Sequence, residues 1–281
     1  MSEPLGVETL REAIALSRTR GAGSAALIGR RIEHHRSIDS TNDRARQLAA
    51  SGEPEGCVVV ADEQTKGRGR SLRHWHSAPD LGLYMTVILR PDAPAERAPI
   101  FGLLAAVATA SALGRVCRGE VRIKWPNDLV VADDSRGKRK LAGILAEARA
   151  SDRLRDLVIG IGVNVNHTAA DFPEEIAGRA TSLRIVRGCP LDRNLVAAEI
   201  LTALDDWYTL WRRQGERPIL DAFRLAGIDL EGRRVRVTGG PEPWEGTTAG
   251  LAEDGALRVT PLGGSHPVVV RYGEVLRVEE T

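Results

Sequence analysis

The sequence lacks the features of several broad protein classes. It contains no run of about 18 apolar residues, so no membrane-spanning helix is expected. The N-terminus has neither the charged start nor the apolar stretch of a secretory signal, which makes a cytoplasmic location the expectation. The three cysteines, Cys57, Cys117 and Cys189, are too far apart for a disulfide framework or a zinc site, and buried thiols are expected instead.

The sequence also lacks the short motifs of several enzyme classes. No segment fits Gly-x-x-x-x-Gly-Lys-Ser/Thr, which argues against a P-loop ATPase. There is no Gly-x-Ser-x-Gly elbow and no His-Glu-x-x-His helix. Residues 160–162 begin a dinucleotide fingerprint, but no third glycine and no helix follow. Catalysis is therefore expected to rest on the positioning of the substrates and on cations that stabilise negative charge, rather than on a covalent intermediate with the protein.

Charge is balanced overall but concentrated locally. The chain has 39 basic and 38 acidic residues, which argues against a general nucleic-acid binder. Residues 64–76 read Gln-Thr-Lys-Gly-Arg-Gly-Arg-Ser-Leu-Arg-His-Trp-His and contain no acid. Glycines let the backbone approach a ligand, and guanidinium groups bind carboxylate or phosphate with two parallel hydrogen bonds. This segment predicts a loop that wraps an anionic ligand, with a solvated basic loop or an RNA-contacting loop as the alternatives.

Hydrophobic patterning predicts an α/β domain followed by a small all-β barrel. A lead-in of residues 1–30, with a short helix at 8–18, precedes a domain at 31–230 and a barrel at 231–281. Within the domain, helices are predicted at 43–50, 100–117, 190–213 and 219–226, and strands at 57–61, 83–89, 121–125, 129–132, 140–148 and 157–165. Barrel strands are predicted at 233–237, 246–249, 257–260, 268–272 and 274–278.

Two segments outside the loop place polar groups at the ends of elements. Lys124 ends an apolar strand before the turn Pro126-Asn127-Asp128, where it could reach a pocket floor, although a surface lysine is commoner. Ser40-Thr41-Asn42 is the expected N-cap of a helix, and a helix N-terminus also binds anions.

Two further segments combine small residues with strands. Ala142 and Gly143 would suit a strand lying against a ligand, or simply a bulged strand. Asn164 and Asn166 share one strand face and could meet a ligand, or they could only lead into a turn.

Taken in order, five segments resemble biotin protein ligase, the biotin–acetyl-CoA-carboxylase ligase family. The segments are residues 37–42, Gln64 with 67–70 and Arg73-x-Trp75, residues 124–129, residues 140–145 and residues 160–166. Each is weak alone, but five in this order are specific. The resemblance runs from about residue 36 to the end of the chain.

The resemblance implies a fold, an activity and a partner. The implied fold is a mixed β-sheet flanked by helices, followed by an SH3-like barrel. The implied activity forms biotinyl-5′-adenylate from biotin and ATP with Mg²⁺, then transfers the biotinyl group to a lysine of a biotin carboxyl carrier domain. A monofunctional type is expected without DNA or membrane partners, because residues 1–36 are too few for the winged-helix domain of the repressor members. A monomer and a homodimer both stay open.

The resemblance also implies site residues. Lys124 would bridge the biotin carboxylate and the α-phosphate, with Arg70 as a second catalytic cation, and Trp75 would cover the adenylate against water. The remaining implied biotin or adenylate contacts are Ser40, Thr41, Asn42, Gln64, Gly67, Arg68, Gly69, Arg73, Asn127, Gly143 and Asn164. Ser71 and Leu72 depart from the family pattern. Metal ligands are not identified, and the phosphates are expected to supply most of them.

Two alternatives remain for the function. A related acyl-adenylating ligase, such as one for lipoate, would use similar cations, but the amino-acid sequence of residues 64–70 and 124–128 favours biotin. A non-catalytic biotin-sensing or transcription-regulating protein would need a DNA-binding element, which is not expected here.

Overall fold

The computed structural model describes residues 4–19, 26–70, 73–117, 119–133, 137–238, 240, 242–271 and 274–277. Four positions named in the sequence predictions lie outside these residues: Ser71, Leu72, Tyr272 and Val278.

The larger of two β-sheets is mixed and has eight strands. They are β1 (Arg31–His35), β2 (Cys57–Ala61), β3 (Gly82–Leu89), β4 (Val121–Lys124), β5 (Asp128–Asp133), β6 (Gly137–Ala150), β7 (Leu154–Asn164) and β8 (Gly227–Ile228). Their order across the sheet is β1-β2-β3-β7-β6-β5-β4-β8. β1 pairs parallel with β2 and β4 with β8, whereas the other neighbours are antiparallel. The predicted mixed α/β class is confirmed.

Helices cover both faces of this sheet. They are α1 (Val7–Thr19), α2 (Thr41–Ala50), α3 (Ala98–Cys117), α4 (Glu174–Ala177), α5 (Leu183–Arg187), α6 (Arg193–Gln214) and α7 (Arg217–Ala226). The main core joins the sheet to α3 and α6, and a smaller cluster joins the other face to α2. We call the face under α2 the α2 face, because the candidate site lies there.

Helix α3 is apolar on nearly all sides, as the sequence predicted. It is long and apolar enough to span a membrane, yet 72% of its most apolar window is buried inside the protein. A helix that is hydrophobic all round and largely covered by the rest of the protein packs as a core helix.

The N-terminal helix α1 belongs to the main core. Leu10 and Ile14 are buried in it, and α1 packs along α6. Arg18 forms an ion pair with Asp205 of α6 at 3.1 Å, and burial raises the pKa of that carboxyl. The helix predicted at 8–18 is confirmed, and the segment before residue 31 contributes apolar surface to the large domain.

One strand and one cysteine of the large domain differ from the sequence expectations. Strand β1 was not predicted, because Arg-Ile-Glu-His-His has one apolar residue and forms an edge strand through its parallel pairing with β2. Cys57 and Cys117 are buried, but Cys189 is exposed, so the expectation of a buried thiol was wrong there. Cys189 lies between Gly188 and Pro190 in the connection from α5 to α6, and such connections run over the surface.

The C-terminal strands form a second, antiparallel sheet. They are β9 (Glu231–Thr238), β10 (Trp244–Leu251), β11 (Leu257–Pro261), β12 (Val268–Val270) and β13 (Glu274–Arg277), in the order β12-β11-β10-β9-β13. The predicted strands are confirmed over the described positions except Arg271, which lies outside β12. Within those positions the predicted small barrel is a five-stranded antiparallel sheet, in which no pairing between β12 and β13 closes the sheet. The Trp125 indole donates a hydrogen bond to the Gly255 carbonyl at 3.1 Å and ties this sheet to the turn after β4.

Candidate active site

Three glycines form the floor of a site on the α2 face, and the Trp75 ring packs directly on two of them. Gly160 and Gly162 alternate along β7, and Gly162 is paired with Gly143 of β6. A Cβ atom on Gly162 would lie 2.6 Å from Cε2 of Trp75, and one on Gly143 would lie 2.9 Å from Cζ3 of the same ring. The missing side chains therefore let Trp75 lie against the sheet as a cover. The close approach at Gly143 is to the Trp75 ring, and the predicted contact of Gly143 with a ligand stays a prediction.

One wall of the pocket is the N-terminus of α2. The Ser40 hydroxyl caps the helix by accepting from the Asp43 N–H at 3.4 Å. Thr41 and Asn42 are buried, and the Thr86 hydroxyl lies 2.8 Å from Thr41 Oγ1 and 2.7 Å from Asn42 Oδ1. The predicted segment 40–42 thus places buried donors and acceptors beside the glycine floor.

The start of the basic loop is attached to this wall. Gln64 Oε1 accepts hydrogen bonds from the Thr41 N–H at 2.9 Å and from its hydroxyl at 3.0 Å. Gly67 is buried, and a Cβ there would lie 2.7 Å from both Ser77 Oγ and the Trp75 carbonyl. Its carbonyl accepts from the Trp75 N–H at 2.9 Å. Gly67 therefore lets the two sides of the loop meet and aims Trp75 at the floor.

The arginines of the loop have partners from outside it. Arg68 forms ion pairs with Asp43 of α2 at 2.7 Å and with Glu147 of β6 at 3.2 Å. Arg70 Nη1 donates to Asn127 Oδ1 at 3.4 Å. Gly69 donates its N–H to the Arg73 carbonyl at 2.7 Å, which closes the loop on itself. The loop is basic in sequence, but folding brings carboxylates from α2 and β6 to Arg68.

Lys140 is a site residue that the sequence analysis did not single out. Its Nζ lies 5.2 Å from the centroid of the Trp75 ring and 2.6 Å from Asp128 Oδ1. A Cβ on Gly143 would lie 3.3 Å from its Cε. A cation at 5.2 Å from an indole face is attracted by the ring quadrupole. Lys140 therefore belongs to the covered part of the pocket.

A β-bulge places Lys140 on the α2 face. The pairing of β5 with β6 shifts by one residue between Leu129 and Val130, so that Leu141 is the extra residue. In a regular strand, Lys140 and Gly143 would point to opposite faces because side chains alternate. A bulge changes the direction of a side chain, and it is not visible in the hydrophobic pattern.

Lys124, the predicted catalytic lysine, also lies on the α2 face. It is paired with Asp128, which is paired with Gly143, and residues directly opposite each other share a face. Gly143 is two strands away, roughly 10 Å at the usual strand spacing. Among the residues that the structure describes, none forms a hydrogen bond or ion pair with its ammonium. Lys124 lies at the edge of the pocket, and its catalytic role stays a prediction.

The two asparagines after β7 differ in their contacts. Asn164 follows the glycines on the α2 face, and its Nδ2 donates to the Thr181 carbonyl at 3.0 Å. Asn166 Nδ2 donates to the Leu191 carbonyl, and Asn166 Oδ1 accepts from the Leu191 N–H, each at 2.9 Å. These two hydrogen bonds fix the connection to α6. Asn164 remains a candidate ligand contact, whereas the contacts of Asn166 are structural.

A cluster of histidines lies behind Trp75. His76 Nε2 is 3.0 Å from the Asp171 carbonyl oxygen. His167 is fully buried and stacks on Phe172 with ring centroids 5.0 Å apart. Neither ring nitrogen of His167 has a hydrogen-bond partner in the described part of the chain. Burial, with His76 nearby, lowers the pKa of His167 to about 4.

Acid should destabilise the protein through His167. In the unfolded chain its imidazole takes up a proton near pH 6.5, whereas in the folded chain it does so only near its pKa of about 4. Stability is therefore lost as the pH falls through this window, by roughly 2 kcal/mol at pH 5 relative to pH 8. Urea unfolding at both pH values should show this loss, and His167→Phe, which keeps an aromatic ring, should reduce it. An unchanged pH dependence in His167→Phe would contradict the assignment.

Comparisons with known proteins support a ligase site. A family model described as the biotin/lipoate A/B protein ligase family matches residues 35–164. The chain is 38% identical over 236 residues to the bifunctional ligase/repressor BirA of Bacillus subtilis, covering 82% of this chain and 70% of that protein. It is 31% identical over 281 residues to the biotin--[acetyl-CoA-carboxylase] ligase of Mycobacterium tuberculosis, covering 98% of this chain and 96% of that protein.

Solved structures show the same similarity. The biotin protein ligase from Aquifex aeolicus in complex with biotin and ATP superposes with a TM-score of 0.74 at 27% identity, covering 89% of this chain and 100% of that one. The biotin protein ligase from Leishmania major in complex with biotinyl-5-AMP gives a TM-score of 0.60 at 25% identity, covering 89% of this chain and 99% of that one.

Proposed function

Because the chain belongs to the biotin/lipoate A/B protein ligase family, we propose that it is a biotin ligase: with ATP it converts biotin to biotinyl-5′-AMP and then biotinylates a protein lysine. The resemblance drawn from the five sequence segments is confirmed. The observation that carries the proposal is the glycine floor with Trp75 packed on it, beside the buried Asn42 amide and Thr41 hydroxyl and the Lys140 ammonium.

The biotin end of the pocket is the wall formed by α2. A ureido group donates and accepts hydrogen bonds, and Thr41, Asn42 and Gln64 offer both kinds of partner there. The Trp75 Nε1 is buried and, in the described part of the chain, has no hydrogen-bond partner; a Cβ on Gly162 would lie 2.8 Å from it. Because the Trp75 ring lies directly against Gly143 and Gly162, a flat bicyclic ring would occupy the glycine floor only after the indole moves away.

The first step joins two anions. A biotin carboxylate oxygen attacks the α-phosphorus of ATP, and the bond to the β-phosphate breaks as pyrophosphate leaves with the electron pair. Fixed cations must offset the repulsion and the charge that develops. Lys140 and Arg70 lie beside the covered floor, and Lys124 lies on the same face. Arg68 is already paired with two carboxylates, so its part is to hold the loop.

Magnesium is proposed to bind through the triphosphate. No group of three or more His, Cys, Asp or Glu side chains that could hold an ion occurs among the described residues. Mg²⁺ often uses only one or two carboxylates together with phosphate oxygens and water. Asp128, next to Lys140 and preceded by the Asn127 amide, has the right donor chemistry and position. When bound, the ion would neutralise phosphate charge.

The second step needs an approach for the acceptor lysine. A cavity of about 1050 Å³ lies beside Arg70 and Asn127, between the start of α3, strand β6 and residues 252–256 of the C-terminal sheet. From there, the acceptor amine would attack the acyl carbon, AMP would leave with the electron pair, and the amine would lose a proton. We propose that a biotin carboxyl carrier domain of a carboxylase presents this lysine from the side of the C-terminal sheet.

Two further properties are proposals of the same kind. Strand β5 covers β6 only as far as Gly143, and the described residues give residues 145–150 no second partner strand. An unpaired strand edge is a template for pairing with another chain, which supports a homodimer. The cytoplasm is the proposed location.

Biotinylation of a carrier tests the proposal directly. The protein, biotin, ATP and Mg²⁺ should label a biotin carboxyl carrier domain, as shown by a streptavidin blot, and EDTA should abolish the label. Lipoate in place of biotin should give no transfer. An unlabelled carrier lysine at saturating substrates would contradict the function, and efficient lipoyl transfer would reassign the substrate.

A further inference from the structure

The covering loop leaves the sheet through two adjacent aspartates. Asp62 follows β2 and Asp80 precedes β3, and the described residues 63–70 and 73–79 of the loop lie between them. The Asp80 N–H donates to the Asp62 carbonyl at 3.2 Å, which closes the base of the loop. Two carboxylates therefore lie together where the loop begins and ends, and they repel each other unless a cation lies between them.

Arg193 is the buried cation at this base. It is the first residue of α6, is 2% exposed and forms ion pairs with Asp62 at 2.8 Å and with Asp80 at 3.3 Å. Its Nη1 also donates to the Gly82 carbonyl at 3.3 Å. One guanidinium thus joins both ends of the loop and the first residue of β3. Its planar fork can bond several oxygens at once, which an ammonium cannot do in the same geometry.

Arg36 bridges the same two carboxylates from the solvent side. Its Nη1 lies 3.2 Å from Asp62 and 2.8 Å from Asp80, but the side chain is 68% exposed. Hydrogen bonds from Arg36 hold the pKa of Asp80 below its usual value. Exposed ion pairs contribute little, whereas removing one member of a buried pair leaves a charge without compensation. Arg193 and Arg36 therefore share the two aspartates but differ in burial, and only Arg193 also bonds the Gly82 carbonyl.

The base of the loop is close in sequence to its functional contacts. Gln64, which holds Thr41, is two residues after Asp62. We propose that Arg193 is a positioning residue for the covering loop: it holds Asp62 and Asp80 together so that Gln64 reaches α2 and Trp75 reaches the glycine floor. The inference rests on the proposed function for its kinetic consequences, but its structural part is independent.

Trypsin tests the structural part without any activity. The loop carries Lys66, Arg68, Arg70 and Arg73 as cleavage sites, and cleavage reports how often the loop opens. In the full-length protein, Arg193→Met should be cut within the loop roughly 10-fold faster than the wild type. Arg36→Met should be cut at nearly the wild-type rate. Equal loop cleavage in Arg193→Met and wild type overturns the proposal.

Kinetics separate positioning from general stability. Arg193→Met should raise KM for biotin on the order of 10-fold and release more AMP per biotinylated carrier, because the adenylate escapes to water. Arg193→Lys keeps the charge but loses the planar guanidinium. Its KM for biotin and its AMP release should lie between those of the wild type and Arg193→Met. It also keeps the test valid if Arg193→Met does not fold. If both variants have the wild-type KM for biotin and release the wild-type amount of AMP per biotinylated carrier, the proposal is also overturned. Inactivity of the wild type would count against the ligase function, while the trypsin result would still decide the role of Arg193.

Discussion

Replacing Lys140 with alanine is expected to slow the formation of biotinyl-adenylate by about 10²- to 10³-fold. Lys140 is the lysine that contacts the covered pocket, since its ammonium lies over the Trp75 ring at 5.2 Å and beside Asp128 at 2.6 Å. A donor that is already in place when charge develops on the phosphate costs no reorganisation, and removing one such donor costs about 3–4 kcal/mol. Single-turnover release of pyrophosphate measures the step without the carrier.

Lys124→Ala is the matched comparison for this prediction. Lys124 lies on the same sheet face, and the sequence predicted it as the bridging lysine. If Lys124 bridges the two anions, its variant will be at least as slow as Lys140→Ala. If Lys124→Ala forms adenylate at the wild-type rate, the sequence assignment is wrong and Lys140 has that role. Wild-type rates in the Lys140 variant would refute the structural assignment instead, provided that both variants unfold in urea like the wild type.

The distinction between the two lysines shows where sequence reasoning ends. Runs of apolar and β-branched residues identified β2 and α3, because burial on both sides leaves a continuous pattern. The same reasoning placed Lys124 correctly at the end of β4. It could not place Lys140, because the bulge at Leu141 inverts the alternation and depends on how β5 pairs with β6.

The electrostatics of the loop were predictable only in part. Glycines alternating with arginines indicated a ligand-wrapping loop, and the structure brings that loop against the glycine floor. The carboxylates that pair with Arg68 come from α2 and β6, about 25 and 79 residues away in sequence. Local spacing carries no information about such partners. For the same reason, the contact of Arg193 with both ends of the loop appears only after folding.

Replacing Gly160 with alanine is expected to weaken biotin binding by about 10- to 10²-fold. A Cβ at this position would lie 2.2 Å from Asn42 Oδ1, and Gly160 lies in the middle of the sheet between β3 and β6. The central strand cannot move easily, so Asn42 must move. Its bonds with the Thr86 hydroxyl at 2.7 Å and the Glu147 carboxylate at 2.7 Å would then be broken. Each buried bond lost costs about 1–3 kcal/mol.

Calorimetric titration with biotin measures this effect, and Gly114→Ala is the control. A Cβ on Gly114 would meet its nearest atom, the Gly119 carbonyl oxygen, at 3.5 Å, and alanine favours the helix, so biotin affinity should not change. A double-mutant cycle then shows whether Asn42 carries the loss. In the Asn42→Ala background there is no amide to displace, so adding Gly160→Ala should cost little further affinity. Additive losses would mean that Gly160 acts on the ligand space directly, and wild-type affinity in Gly160→Ala would mean that neither residue limits biotin binding.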